Sequence, residues 1–397
     1  MALGIVGGLL LAAALIQLIP ALVLLVQVLA ARGAGAAVDV DARRPSLAVL
    51  MPAHDEAAGI ADSIGAVLPQ LLAGDRLLVV ADNCSDSTAA IAAACGAEVS
   101  ERHDEVRRGK GYALDHGVRH LAAAAPEVVI VVDADCIVGA GSLDRLARES
   151  GRTGRPVQAL YRMDAPPAAP LRQRVAEFAW AVRNDLRPLG AHRLGLPCQL
   201  MGTGMAFPWP LLAASSLASA SIVEDMQLGL DLAAAGVPPT FCHAALVTSW
   251  FPADVEGSRE QRTRWEHGHL AMIAAKGLPL LWRGMVRRRR DLVAMALDLC
   301  VPPLAVLVLL LSATFVASAM LVVAGGPAAP LAVASSALAV TAIAVFSAWD
   351  QVGRRSLSLR EILAVPGYVL AKIPIYIRLF TARQVRWIRT RRDGGER

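Results

Sequence analysis

The 397 residues are 55% hydrophobic and only 18% charged, with a formal net charge of +5 and a mean hydropathy of +0.48. So apolar a composition excludes an ordinary soluble globular chain and requires that part of the length face lipid. The positive excess sits in short Arg clusters beside apolar stretches, so it reads as a membrane-surface feature and gives no reason to invoke nucleic acid.

The first predicted element is a transmembrane helix over 1–32. Residues 2–31 contain no charge and only Gln17 and Gln27 as strongly polar side chains. About 20 such residues cross a hydrocarbon core. A cleaved signal peptide would want a basic start and a shorter apolar core, so an anchor is expected. Arg32, Arg43 and Arg44 follow it.

Residues 45–285 then alternate short β-rich runs with helical stretches. Strands are predicted at 47–51, 77–81, 98–101 and 128–132, and helices at 57–72, 87–94 and 111–124. This order implies an α/β domain with a mostly parallel sheet. After Pro156 the alternation loosens, with a fifth strand at 157–161 and a long helical stretch ending near Arg187-Pro188.

Polar residues gather at the strand ends. The first strand ends in Pro52-Ala53-His54-Asp55-Glu56. The second ends in Asp82-Asn83-Cys84-Ser85-Asp86, with Asp86 or Ser87 placed to cap the next helix. The apolar run 128–132 ends in Asp133-Ala134-Asp135. Open α/β sheets bind ligands at this edge. Carboxylates there suit a hard divalent ion holding a diphosphate. Taken alone, Asp-x-Asp equally suits a solvated turn or a helix cap; acids at three strand ends point to a shared cleft. Lys110, in Arg108-Gly109-Lys110-Gly111, offers a point charge on a Gly-flanked loop suited to phosphate.

Further along, Gly202-Thr203-Gly204 forms a short loop motif, and Glu224-Asp225 opens the helical pattern 226–233. Gln261-Arg262-Thr263-Arg264-Trp265 falls on a helix-compatible stretch over 260–269. His267 and His269 stand at i, i+2, on different helix faces, so no zinc site is expected. The six cysteines (Cys84, Cys95, Cys136, Cys198, Cys242 and Cys300) lack paired spacing and are expected to be reduced. The sequon at 83–85 is expected to be accidental.

Residues 292–349 are predicted to form a transmembrane hairpin. Its first limb, 292–323, is interrupted by Asp298 and Pro302-Pro303; its second covers 328–349, after Gly325-Gly326-Pro327. Residues 358–397 are predicted as an interfacial helix, over 361–380, and a basic tail. Placing Arg287 to Arg290, Arg354, Arg355 and the Arg-rich tail on one side with Arg32, Arg43 and Arg44 puts the catalytic domain in the cytoplasm and the N-terminus outside.

Met51 to Glu56, Asp82 to Asp86, Asp133 to Asp135, Glu224-Asp225 and Gln261 to Trp265 occur in an order that resembles family 2 glycosyltransferases with the GT-A fold. The last motif resembles the Gln-x-x-Arg-Trp signature of the membrane-embedded cellulose, chitin and hyaluronan synthases. The resemblance implies an inverting, metal-dependent enzyme that moves a sugar from a nucleotide diphosphate, of uracil type, to a hydroxyl. It implies nucleotide-sugar contacts from Pro52, Ala53, Glu56, Asp82, Lys110, Asp133, Ala134, Asp135, Gln261, Arg264 and Trp265. It implies Mg²⁺ or Mn²⁺ on Asp135 with help from Asp133, and Asp225 as general base beside Glu224. Gly202, Thr203, Gly204 and Trp265 would meet the acceptor. Val223 stands where the family usually has Thr, which removes a potential hydroxyl contact. Three spans are few to enclose a polymer channel, so a lipid-linked or glycan acceptor in envelope or exopolysaccharide synthesis is expected, with a processive polysaccharide synthase as the alternative. A non-catalytic membrane scaffold, and a transporter built around Asp298, are the rivals from other classes.

Overall fold

The computed structural model describes residues 1–33, 43–166, 168–219, 223–251 and 255–362, without the side chains of 255–262. These fall into two compact units. One holds the described residues within 1–33, 168–196 and 266–362, the other those within 43–166 and 197–265.

The second unit is built on eight strands: β1 Leu47–Ala53, β2 Arg76–Asp82, β3 Glu98–Arg102, β4 Val128–Val131, β5 Ile137–Val138, β6 Val157–Asp164, β7 Met205–Pro208 and β8 Thr240–Trp250. They form one sheet in the order β3-β2-β1-β4-β7-β6-β8-β5. β3, β2, β1 and β4 run parallel; β7 is antiparallel to β4 and β6, and β5 to β8. Val49 of β1 lies opposite Leu77 of β2 and Ile130 of β4. The β-branched and leucine runs of these three strands are almost wholly buried, as expected of parallel strands covered on both faces. Ala113, Leu114, Val118 and Leu121, from helix Lys110–Leu121, pack in the core formed with Leu50, Val80, Val131 and Phe207. The chain winds from β1 outward to β3 and then returns to β4 on the other side of β1. That reversal opens a crevice at the carboxyl ends of β1 and β4.

Several predicted elements need correction. The first helix is Ile60–Val67 followed by a 3₁₀ turn Leu68–Gln70, shorter than 57–72 because Pro69 tightens its end. The strand expected as the fifth is the sixth, since the two-residue β5 precedes it. β7 and β8, outside the predicted strands, owe their existence to pairing with β4 and β6.

The other unit contains three helices long and apolar enough to cross a membrane: Ala2–Ala30, Leu304–Val323 and the segment Ala329–Gly353. They pack on one another through small residues; Ala14, Ala21, Ala334, Ala337 and Ala344 are fully buried. Small side chains let backbones approach where lipid gives no hydrophobic drive to associate. The limb 292–323 is two helices, Arg290–Leu299 and Leu304–Val323, because Pro302 and Pro303 cannot continue the first. The helical stretch after β6 runs on past Arg187-Pro188 to Arg193 through a π turn, Val182–Leu186. The wider π turn accommodates a proline that would otherwise break the ladder.

The polar residues of the first apolar helix are both engaged. Gln17 Nε2 donates to Thr314 Oγ1 at 2.8 Å. Gln27 Nε2 donates to Asp298 Oδ1 at 2.8 Å, while Arg187 donates to Gln27 Oε1 at 3.1 Å and to Asp298 Oδ1 at 2.7 Å. Asp298, the residue behind the transporter reading, is thereby a structural partner of Arg187 in the helix before the span. His269 Nε2 donates to the Leu299 carbonyl at 2.9 Å. Burial, with Arg183 and Arg187 nearby, pushes His269 down to about 3, so it is neutral. Neither it nor His267 joins a metal-donor cluster among the described residues. The interfacial helix expected at 361–380 and the basic tail lie, beyond Ile362, outside the described residues.

Candidate functional site

Parallel register carries the polar segments after β1, β2 and β4 to one edge of the sheet. Pro52 and Ala53 end β1, and the loop beyond them is tied to the one after β2. His54 Nδ1 donates to the Asp82 carbonyl at 2.7 Å, and Glu56 N–H donates to Thr88 Oγ1 at 2.8 Å. Asp55 accepts from Ser85 N–H at 2.6 Å. Asp86, one of the two predicted caps, accepts from Thr88 N–H at 3.0 Å; Ser87 makes no capping bond with its side chain. Asp55 and Asn83 both take φ of 53°, the left-handed region that Asp and Asn tolerate best.

The centre of the site is Lys110. The expected flexible loop lysine is instead the first residue of helix Lys110–Leu121, fixed by two partners. Its Nζ lies 2.5 Å from Asp133 Oδ1 and donates to the Gly202 carbonyl at 2.7 Å. Gly202 has φ +89°, and a Cβ added there would lie 3.4 Å from Asp225 Oδ2 and 3.7 Å from Lys110 Nζ. Three distant stretches, around 110, 133 and 202, thus meet within bonding range, with Asp225 of helix Glu224–Ala234 beside them.

Electrostatics confirm that the cluster is short of positive charge. Burial would lower the Lys110 ammonium, but Asp133 and then Glu224 and Asp225 outweigh it and raise it. Burial also raises Asp133 and, with Asp135 and Asp225 adding to it, outweighs the lowering by Lys110. Burial and the adjacent Asp225 push Glu224 up to about 7. Four acids facing one lysine cannot all ionise at ordinary cost.

Asp133, Asp135 and Cys136 offer ligand atoms all within 4.8 Å of one another. Burial, then Asp135 and Asp133, keep the Cys136 thiol well above its usual range, so the hard carboxylates are the effective donors for a divalent ion. Asp133 is steadied from behind, since its N–H donates to Thr203 Oγ1 at 3.1 Å. Thr203 is fully buried, a position that fixes the Asp133 backbone. Ala134 is buried too, its carbonyl accepting from Ser63 Oγ at 2.7 Å. Gly204 has φ +65°, and a Cβ there would meet Ala159 and Val247 at 2.8 Å, so only glycine lets this strand pass. A second donor group, Asp55, Cys84 and Asp86, lies in the loops after β1 and β2.

Asp82 is 5% exposed and does not stand alone. β2 and β3 pair in a register that sets Arg102 opposite Asp82. Arg102 Nη1 donates to Asp82 Oδ1 at 2.6 Å, and Asn83 Nδ2 donates to the same oxygen at 3.0 Å. Sequence reading missed Arg102, because no local pattern reveals strand register. It missed Cys136 as a neighbour of the paired acids for want of a metal-type spacing.

Arg264 and Trp265 are partly buried on helix Val255–Met272, as the helix-compatible pattern anticipated. The side chains of Gln261 and Arg262 lie outside the described residues.

The model for the family described as "Glycosyltransferase like family 2" matches residues 45–268. Uncharacterized glycosyltransferases of Mycobacterium tuberculosis and Mycobacterium bovis are each 34% identical over 187 residues, covering 41% of this chain and 81% of the relative. A mannosyltransferase from Pyrobaculum calidifontis, solved in complex with GDP-Man and Mn²⁺, superposes with a TM-score of 0.57 at 16% identity, covering 94% of this chain and 100% of that one.

Proposed function

The chain belongs to glycosyltransferase family 2 and carries its GT-A type fold, and from that premise we propose that it is an inverting, metal-dependent transferase that moves a sugar from a UDP-sugar to a lipid-linked or glycan acceptor at the cytoplasmic membrane face. The observation that carries the reading is the convergence of Asp133, Lys110, Gly202 and Asp225 from four separate stretches of chain.

Each part of the reaction has its residue. Asp82 takes the base of the nucleotide, with Pro52, Ala53 and Glu56 along the same edge. Asp135 and Asp133 would hold Mg²⁺ or Mn²⁺, whose charge, when bound, stabilises the departing diphosphate. Lys110, paired with Asp133 at 2.5 Å, would offer its ammonium to the diphosphate beside the acids that hold the ion. Asp225 draws the proton from the acceptor hydroxyl as it attacks the anomeric carbon. Glu224, pushed up to about 7, is only about half ionised near neutrality, which favours Asp225 as the working base. Direct displacement inverts the anomeric carbon. Arg264 supplies a fork for the diphosphate, and Trp265 and the loop 202–204 a wall for the acceptor. Gln261 completes the motif.

Three helices apolar enough to cross a membrane among the described residues support a lipid-borne acceptor. By the positive-inside rule the Arg clusters support a cytoplasmic catalytic domain, residues 45–285, with the N-terminus outside.

The test is a panel of radiolabelled nucleotide-sugars offered to membranes containing the full chain, followed by organic extraction. Single-sugar adducts in the lipid fraction are the expected result. Ladders of oligosaccharide would assign a processive synthase, and no transfer from any donor would refute the proposal.

A further inference from the structure

Resting on the donor reading above, we propose that Arg102 is a positioning residue that sets base specificity. By saturating one oxygen of Asp82, it leaves a single acceptor matched to a base with one ring N–H between two carbonyls, the uracil or thymine edge, and mismatched to guanine.

Each carboxylate oxygen has about two acceptor sites. Both sites of Asp82 Oδ1 are filled, by Arg102 Nη1 at 2.6 Å and Asn83 Nδ2 at 3.0 Å. Among the described residues Oδ2 accepts no hydrogen bond. The side chain of Asp82 is 8% exposed, so little of the carboxylate is open to a base.

The donors that fill Oδ1 are themselves locked. Arg102 Nη2 donates to Asp104 at 3.2 Å and to the Arg107 carbonyl at 2.8 Å. The guanidinium also lies over the Tyr112 ring, 5.6 Å from its centroid. Asn83 accepts from Asp104 N–H at 2.8 Å, which fixes which end of its amide faces Asp82. Neither donor can turn away without breaking further bonds, so Oδ1 is not released to a ligand.

Guanine presents two adjacent donors, N1–H and the N2 amino group, and needs both oxygens of one carboxylate. Uracil presents one donor, N3–H, between two carbonyls that a second carboxylate oxygen would repel. Cytosine has no hydrogen on N3 and loses the contact.

The test measures binding of UDP, GDP, CDP and N3-methyl-UDP to the purified full chain with Mn²⁺. UDP should bind at least tenfold more tightly than each of the others, since a hydrogen bond to a charged group is at stake. Arg102→Met should cut the UDP-to-GDP preference at least fivefold, a ratio that a general loss of stability would not move. Should that variant fail to fold, N3-methyl-UDP on the unaltered chain decides. Equal affinity for UDP and N3-methyl-UDP, GDP binding as tightly as UDP, or an unchanged ratio in Arg102→Met would each overturn the proposal while leaving the transferase reading intact. Failure of all four nucleotides to bind would overturn both.

Discussion

Replacing Lys110 by Met removes the cation on which the proposed site is balanced. Its Nζ lies 2.5 Å from Asp133 Oδ1, and the two side chains are 20% and 30% exposed. Truncating one partner of a fully buried ion pair costs about 3–5 kcal/mol. Partial solvent access at both groups reduces that to about 2 kcal/mol. In a unit of this size such a loss lowers the melting temperature by about 4–8 °C. The sign of the pH dependence follows from the neighbours. Asp133 and Glu224 already sit above their ordinary range, and loss of Lys110 raises them further, so the folded variant holds more protons than the folded parent. Destabilisation should therefore be greatest at pH 8 and shrink toward pH 5.5, where protonation removes the repulsion. The assay is thermal unfolding of the detergent-solubilised full chain at both pH values without divalent ions, with Lys110→Arg as the charge-retaining control. An equal shift at both pH values, or no shift, would refute the claim that Lys110 compensates this acid cluster.

Asp225→Asn should lower transfer by about 10²–10⁴-fold while nucleotide binding is retained, since a general base contributes on that scale; lost nucleotide affinity measured by titration would contradict the assignment. Glu224, pushed up to about 7 from 4.5, holds its proton more tightly folded than unfolded, so it destabilises the fold increasingly as pH rises through that interval. Glu224→Gln should leave stability unchanged near pH 4.5 and raise it by up to about 3 kcal/mol above pH 8. A constant offset across a pH series of melting curves would exclude that cause. Gly204→Ala forces a side chain into φ +65° with carbons at 2.8 Å. Left-handed strain and overpacking together should cost about 2–4 kcal/mol, read by denaturant unfolding.

The parts of the fold legible in sequence are those whose burial leaves an unbroken mark. β1, β2 and β4 are covered on both faces, so 47–51, 77–81 and 128–132 read as continuous apolar runs, and the acids that follow them stand out. β7 is four residues long, and β8 crosses an irregularity opposite Ala159 and Leu160; both depend on partners far away in sequence. The same limit hid Arg102, whose meaning lies in its register with Asp82. Lys110 was recognisable as a cation among glycines, but its two fixed partners lie 23 and 92 positions on, at Asp133 and Gly202, beyond any local pattern. Pro188 looked like a stop because a proline breaks an ordinary α-helix; the π turn that accommodates it has no sequence signature here.

The account stands on acids at neighbouring strand ends gripping one divalent ion together with a diphosphate. Titration of Mn²⁺ into the full chain with and without saturating UDP, followed by electron paramagnetic resonance, measures this directly. One Mn²⁺ per chain, bound more tightly with UDP present and lost in Asp135→Asn, is the predicted result. Mn²⁺ binding that ignores both UDP and Asp135→Asn would contradict it.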